Sequence, residues 1–258
     1  MKKLFTLFTI ALVLAAGAVQ AKDWKKVRVA IEGAYPPFSQ ITPEGKLIGF
    51  DVDIAVALCN AMGAEPVLVT QDWDGMIPGL LARKYDTIIA SMSITEERLQ
   101  KVDFSKKYYQ TPAKFMAKKG LFSTFSQDAL KGKTVGVQRE TVHDKYLTDI
   151  YGKDVTIKRY GSLDEAYLDV DAGRLDILMA DSVALMDGFL SKEKGKEYEF
   201  VGPDMVDPKW FGPGIGAALR KEDTDLKEKL NAAIDKIRAD GTYDAIQKKY
   251  FSFDVYGQ

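Results

Sequence analysis

Short β-branched runs alternate with helical stripes along this chain, and that alternation restricts the fold more than any other feature. A strand that returns through a helix packs naturally as a βα unit. Lys26-Val27-Arg28-Val29-Ala30-Ile31, Pro66-Val67-Leu68-Val69 and Thr87-Ile88-Ile89-Ala90 read as strands. Between the first two, Ile54, Leu58 and Met62 recur four residues apart behind Phe50-Asp51-Val52-Asp53, with Gly63 as the stop. The acids of that first turn suit the helix dipole, and no other role is expected of them. Asp74 is expected to cap a helix through Leu81. The run from Tyr108 to Lys118 reads as extended. A second set begins at Lys133-Thr134-Val135-Gly136-Val137 and continues through a helix capped by Thr141 and a strand at Val155–Lys158. A helix from Ser162 to Ala172 and the strand Asp176–Ala180 follow, then a helix Ser182–Leu190. Ile215–Leu219 is a late strand, Leu226, Leu230, Ile234 and Ile237 form a helical stripe, and Thr242 is expected to cap a last helix to about Tyr250. The expected fold class is α/β, two lobes with a ligand cleft between the strand ends.

The polar residues gather at those strand ends. Ser91-Met92-Ser93-Ile94-Thr95-Glu96-Glu97-Arg98 places two hydroxyls after a strand, a helix start at Thr95, and Arg98 one turn later. Taken alone this is an ordinary strand-to-helix turn; hydroxyls, a helix start and a bidentate donor together also suit a carboxylate. Glu32 ends the first strand beside Tyr35, which Pro36 and Pro37 hold extended. Trp73 follows an apolar strand on the same edge. Thr141 opens a helix whose free amides form a second anion site. His143 has no Ser or Cys nucleophile motif beside it and reads as a polar helix residue. Asp181 fits equally a cap for the following helix and a carboxylate aimed into the cleft.

Composition excludes several classes. Lys+Arg number 36 against 37 Asp+Glu, a net charge of −1 that gives no footprint for nucleic acid. One Cys and one His exclude an internal disulfide and argue against a zinc site of the usual kind. Cys59 reads as a buried small hydrophobe. Met1-Lys2-Lys3, an apolar run from Leu4 to Val19 and the small-residue ending at Ala21 read as a secretory signal peptide over 1–21, cleaved near Ala21. An exported, periplasmic protein is expected, with no later segment long and apolar enough to span a bilayer.

In order along the chain, Ala34-Tyr35-Pro36-Pro37-Phe38, Gly49-Phe50-Asp51-Val52-Asp53, Ser93-Ile94-Thr95-Glu96-Glu97-Arg98 and Gly173-Arg174-Leu175-Asp176 match segments of one family. So do Phe211-Gly212 and Ala239-Asp240-Gly241-Thr242-Tyr243 with Lys249-Tyr250-Phe251. The chain resembles the periplasmic polar-amino-acid-binding proteins of ABC importers, of the lysine/arginine/ornithine and histidine type. The resemblance implies the type II periplasmic-binding-protein fold, with lobe one over 22–110 and 209–258, lobe two over 111–208, and a hinge of two crossings near Tyr109–Pro112 and Asp207–Gly214. It puts the ligand's α-carboxylate on Arg98, Ser93 and the backbone at Thr141 and Val142, and its α-ammonium on Asp181 and Ser91. The side-chain pocket is less uniform: Glu32 stands where relatives carry Asp, Trp73 where they carry Leu or Phe, Ala90 for a frequent Ser, Gln138 for Leu and His143 for Gln. Pro66 replaces the partner that a family disulfide would give Cys59.

Glu32 with Trp73 and Tyr35 makes an aromatic-walled site for a cation, which suits a guanidinium. Arginine or ornithine is therefore expected first, then lysine or histidine. An opine is the alternative, with Gln138 and Arg139 receiving its second acid. The expected partners are the small-molecule ligand and an ABC permease of the inner membrane; a monomer is expected, with no catalytic residue, metal or cofactor. A dehydratase-type enzyme on the same fold is the rival, with Glu32 and His143 as its candidate acid–base groups.

Overall fold

In the computed structural model, which describes residues 22–257, strand β1 (Lys26–Ile31) buries Val27, Val29 and Ile31 completely on alternate positions. The expected leader over 1–21 lies outside the described residues. A small antiparallel sheet follows, β2 (Ala34–Tyr35), β3 (Ser39–Ile41) and β4 (Leu47–Ile48). Helix α1 (Phe50–Ala61) then buries Phe50, Ile54 and Leu58 along one face, and Cys59 lies inside as expected, 1% exposed. β5 (Glu65–Thr70) pairs with β1 in parallel.

Asp74 does not cap the next helix. It falls within a 3₁₀ turn, Trp73–Gly75, and α2 (Met76–Leu81) starts from Gly75 with no side-chain cap. β6 (Thr87–Ile88) pairs with the other side of β1. Thr95 caps the short α3 (Glu96–Leu99), its hydroxyl accepting from the Arg98 N–H. β7 (Asp103–Tyr109) closes this half at the sheet edge.

β8 (Ala113–Lys118) starts the second five-stranded sheet, three residues after β7 ends. β9 (Thr134–Gln138), α4 (Val142–Tyr151), β10 (Thr156–Tyr160) and α5 (Leu163–Asp171) alternate; Thr141 caps α4 as expected, and Ser162, expected as the first helical residue, caps α5. β11 (Ile177–Asp181) leads into α6 (Ser182–Leu185), which runs on as a π turn to Leu190. β12 (Tyr198–Met205) completes this sheet in the order β10-β9-β11-β8-β12. The chain returns through the one-turn α7 (Pro208–Phe211) to β13 (Ile215–Leu219), which inserts antiparallel between β6 and β7. The first sheet thus has the order β5-β1-β6-β13-β7.

Helix α8 (Thr224–Ala239) covers that sheet with Leu226, Leu230, Ile234 and Ile237, all at most 2% exposed. Each such burial contributes about 1.5–3 kcal/mol. Thr242 does not cap α9 (Thr242–Tyr250); it is the first helical residue after the left-handed Gly241, and its N–H donates to the Asp240 carboxylate. No helix among the described residues is long and apolar enough to cross a membrane.

One charged cluster lies inside the first half. Arg220, 2% exposed, donates to the carbonyls of Leu80 and Tyr85 at 3.0 and 2.7 Å and approaches Asp86 at 3.4 Å. Burial alone would push the Asp86 carboxyl up; hydrogen bonds from the Arg28 guanidinium and N–H, with the Lys22 and Arg28 charges, instead hold it down to about 2. A depressed carboxylate stabilises the fold above its unfolded pKa of about 4, and the contribution is lost as pH falls toward the folded value. Asp86→Asn is therefore expected to melt well below the wild type at neutral pH, with the gap narrowing steadily below about pH 4. A gap in melting temperature that stays constant down to about pH 2 would contradict this linkage.

Candidate functional site

The C-terminal ends of β1, β6 and β9 meet around a cavity of about 300 Å³. Its lining is Glu32, Tyr35, Trp73, Ala90, Ser91, Ser93, Arg98, Gln138, Thr141, Val142 and His143. Asp181 lies in an adjoining cavity of about 450 Å³, which shares Tyr35, Ser91, Ser93, Val142 and His143 with the first. All twelve candidate positions therefore converge on one pair of connected spaces, with residues from both sheets facing each other.

Arg98 is placed by its own cap. Because Thr95 fixes the start of α3, the guanidinium swings back over the strand end, where Nη1 donates to the Ser93 carbonyl at 3.0 Å. Nη2 reaches the Glu140 carbonyl of the opposite half at 3.5 Å, and the guanidinium carbon stands 5.2 Å from the centre of the Trp73 ring. The Trp73 wall is thus shared with Arg98. No acidic side chain lies within ion-pair distance of Arg98 among the described residues. Burial lowers its pKa to about 10, with the Glu97 charge opposing. Opposite it, Thr141 accepts from the Asp144 N–H and donates to the Gln138 carbonyl, setting the start of α4 toward the same space.

The acids are equally without cations. Glu32, 8% exposed, accepts from Gln138 Nε2 at 2.6 Å, and burial pushes its carboxyl up to about 7 despite that bond. Asp181 fulfils one of its two expected roles visibly: Oδ1 caps α6, accepting from Val183 and Ala184, while Oδ2 accepts from the Thr111 hydroxyl. Burial raises its pKa to about 6, against the hydrogen bonds from Thr111, Ala184 and Val183. Burial first, then the Arg98 charge, lowers His143 to about 3, and its ring packs 6.0 Å from Phe211.

Two of the expected side chains have protein partners of their own. The Arg139 guanidinium is paired with Asp74 at 2.7 Å in a partly exposed ion pair. Gln138 is likewise committed to Glu32 and to the Gly161 carbonyl at 3.1 Å. Asp51 has a role that its place in a first helical turn does not reveal. It is fully buried behind the cavity, accepting from Ser91 Oγ at 2.9 Å and the Tyr108 hydroxyl at 2.8 Å. Ser91 itself is left-handed, with φ 54.

Comparison with known proteins identifies the family. The profile of the bacterial extracellular solute-binding proteins, family 3, matches residues 27–253. The chain is 51% identical to an L-arginine-binding protein of Pseudomonas aeruginosa, covering 100% of this chain and 99% of the relative. It is 40% identical to a histidine-binding periplasmic protein of Escherichia coli K12 over the full length of both. Its fold superimposes with a TM-score of 0.81 on a Salmonella typhimurium periplasmic binding protein of high arginine specificity, at 33% identity, covering 88% of this chain and 100% of that one.

Proposed function

Since the chain belongs to family 3 of the bacterial extracellular solute-binding proteins, we propose that it captures a cationic amino acid, arginine or ornithine before lysine or histidine, and presents it to an ABC permease of the inner membrane. The observation that carries this reading is the charge inventory of the cleft. Arg98 is a cation without an acid, while Glu32 and Asp181 are acids without a cation, all gathered at the two joined cavities. A free cationic amino acid supplies what each lacks: a carboxylate for Arg98, an α-ammonium for Asp181 and a distal cation for Glu32.

In this reading 22–110 with 209–258 and 111–208 act as two lobes, hinged where the chain crosses between the sheets, at Tyr109–Pro112 and Asp207–Gly214. The ligand docks through Arg98, Ser93, Tyr35 and Trp73, and Asp181 with the α4 start completes the enclosure. Closure follows because the ligand's two ends are fully paired only when both lobes reach it. Gln138 to Glu32, Arg139 to Asp74, Arg98 to the Glu140 carbonyl and the Lys145–Glu97 ion pair already join the two halves. The Arg139–Asp74 pair is partly exposed and contributes about 0–1 kcal/mol, so it aligns the lobes more than it locks them. The chain acts by binding, as a monomer exported through cleavage near Ala21. His143, held neutral to about pH 3, is too weak a base for proton transfer at neutral pH.

A thermal-shift panel tests the ligand class. Arginine at a hundred times its Kd raises stability by about 2.7 kcal/mol; no shift from arginine, ornithine, lysine or histidine would end the reading. Glu32→Gln is expected to weaken arginine by about tenfold, the loss of one charge-assisted bond, and to leave glutamine within about twofold. Equal losses for both would show that Glu32 does not face the distal cation. Arginine affinity in the wild type should also fall from about pH 8 to about pH 5, as Glu32 and then Asp181 take up protons.

A further inference from the structure

We propose that Asp51 is a positioning residue that makes the Ser91 hydroxyl a pure hydrogen-bond acceptor for the ligand's α-ammonium group. The proposal rests on the amino-acid-binding reading above. A serine hydroxyl carries a single proton, and here that proton is donated to Asp51 Oδ2 at 2.9 Å. What Ser91 then presents to the cleft is lone pairs, which accept from an ammonium and repel a carboxylate. Ser91 lines both cavities, the one that Arg98 lines and the one that Asp181 lines.

The surroundings keep the polarity fixed. Asp51 is fully buried and accepts from the Ser91 hydroxyl. Its other oxygen is taken by the Tyr108 hydroxyl at 2.8 Å, and the Tyr108 carbonyl is held in turn by the Tyr243 hydroxyl at 2.6 Å. The left-handed backbone at Ser91, φ 54, is the kind of local strain that persists where surrounding contacts over-determine a side chain's aim. Burial pushes the Asp51 carboxyl up to about 7, with Tyr108 and Ser91 opposing. A cation accepted by Ser91 favours the charged form further, so carboxylate and ammonium reinforce one another through the hydroxyl.

The test is calorimetric titration of wild type, Asp51→Asn, Ser91→Ala and the double variant with L-arginine and with 5-guanidinopentanoate, which is arginine without its α-ammonium. The amide of Asp51→Asn can donate to Ser91 and turn the hydroxyl proton into the cleft. Asp51→Asn is expected to weaken L-arginine at least about tenfold and 5-guanidinopentanoate less than about twofold, one charge-assisted hydrogen bond apart. The double variant should bind L-arginine no more weakly than Ser91→Ala. Equal losses for both ligands, or additive losses in the double variant, would reduce Asp51 to a structural residue and overturn the proposal. If Asp51→Asn does not fold, Tyr108→Phe decides: with Ser91 left as the hydroxyl donor to Asp51, the preference for L-arginine must hold or rise, and a fall overturns the proposal. A wild type that takes up no L-arginine contradicts the ligand reading itself, a result distinct from either of these.

Discussion

Arg98→Ala is expected to weaken every amino-acid ligand by at least about a hundredfold, from the loss of two charge-assisted hydrogen bonds worth about 1.5–3 kcal/mol each. The present partners of Arg98 are carbonyl oxygens, at 3.0 and 3.5 Å, and a Trp73 face. None neutralises it, so a ligand carboxylate gains a fully formed counter-charge. The loss should be common to cationic and neutral amino acids, which distinguishes it from the selective loss at Glu32. Arg98→Lys should recover part of the affinity, since it keeps charge without the planar fork. Calorimetry on folded variants checks this; an Arg98→Ala protein that binds arginine within about threefold of wild type would place the carboxylate elsewhere.

The second large effect is on folding, at the return crossing. Gly212 has φ 76, and a Cβ there would lie 2.0 Å from the Ile94 carbonyl oxygen. Backbone faces backbone, because the Ile94 N–H also donates to the Gly214 carbonyl at 2.9 Å. This clamps the return segment against the residues that introduce Thr95 and Arg98. Gly212→Ala combines left-handed strain with overpacking that no rotamer relieves, a cost of about 3 kcal/mol, and lowers Tm by roughly 6–12 °C. Gly120→Ala is the matched control: its φ is 77, and nothing lies within 4 Å of the added Cβ. It should cost about 1 kcal/mol, and equal losses at the two positions would mean that strain alone, without the clash, sets the effect.

Features carried by neighbouring residues were legible in the sequence. Thr95 and Thr141 cap their helices because a hydroxyl and the amide three residues on are local partners. The stripe of Leu226, Leu230, Ile234 and Ile237 declares its buried face by period alone. Asp74 and Thr242 satisfied the same local pattern and failed it, since a 3₁₀ turn absorbs the first and left-handed Gly241 ends the chain reversal just before the second. Long-range partners left no local trace. Asp51 meets Ser91 and Tyr108 across 40 and 57 residues, and Arg139 meets Asp74 across 65. Their pairings follow from how the sheets bring strand ends together, which periodicity cannot register. The cavity residues were reachable mainly because strand ends recur as binding positions in α/β folds and because ordered segments resembled a family.

The central claim is that the cleft holds a zwitterion by opposite charges at its two ends, and a calorimetric comparison of L-arginine with agmatine, its decarboxylated form, tests it most directly. Agmatine keeps the guanidinium for Glu32 and an amine for Asp181 but leaves Arg98 unpaired, so it should bind at least about a hundredfold more weakly than L-arginine. Agmatine binding as tightly as L-arginine would contradict the account.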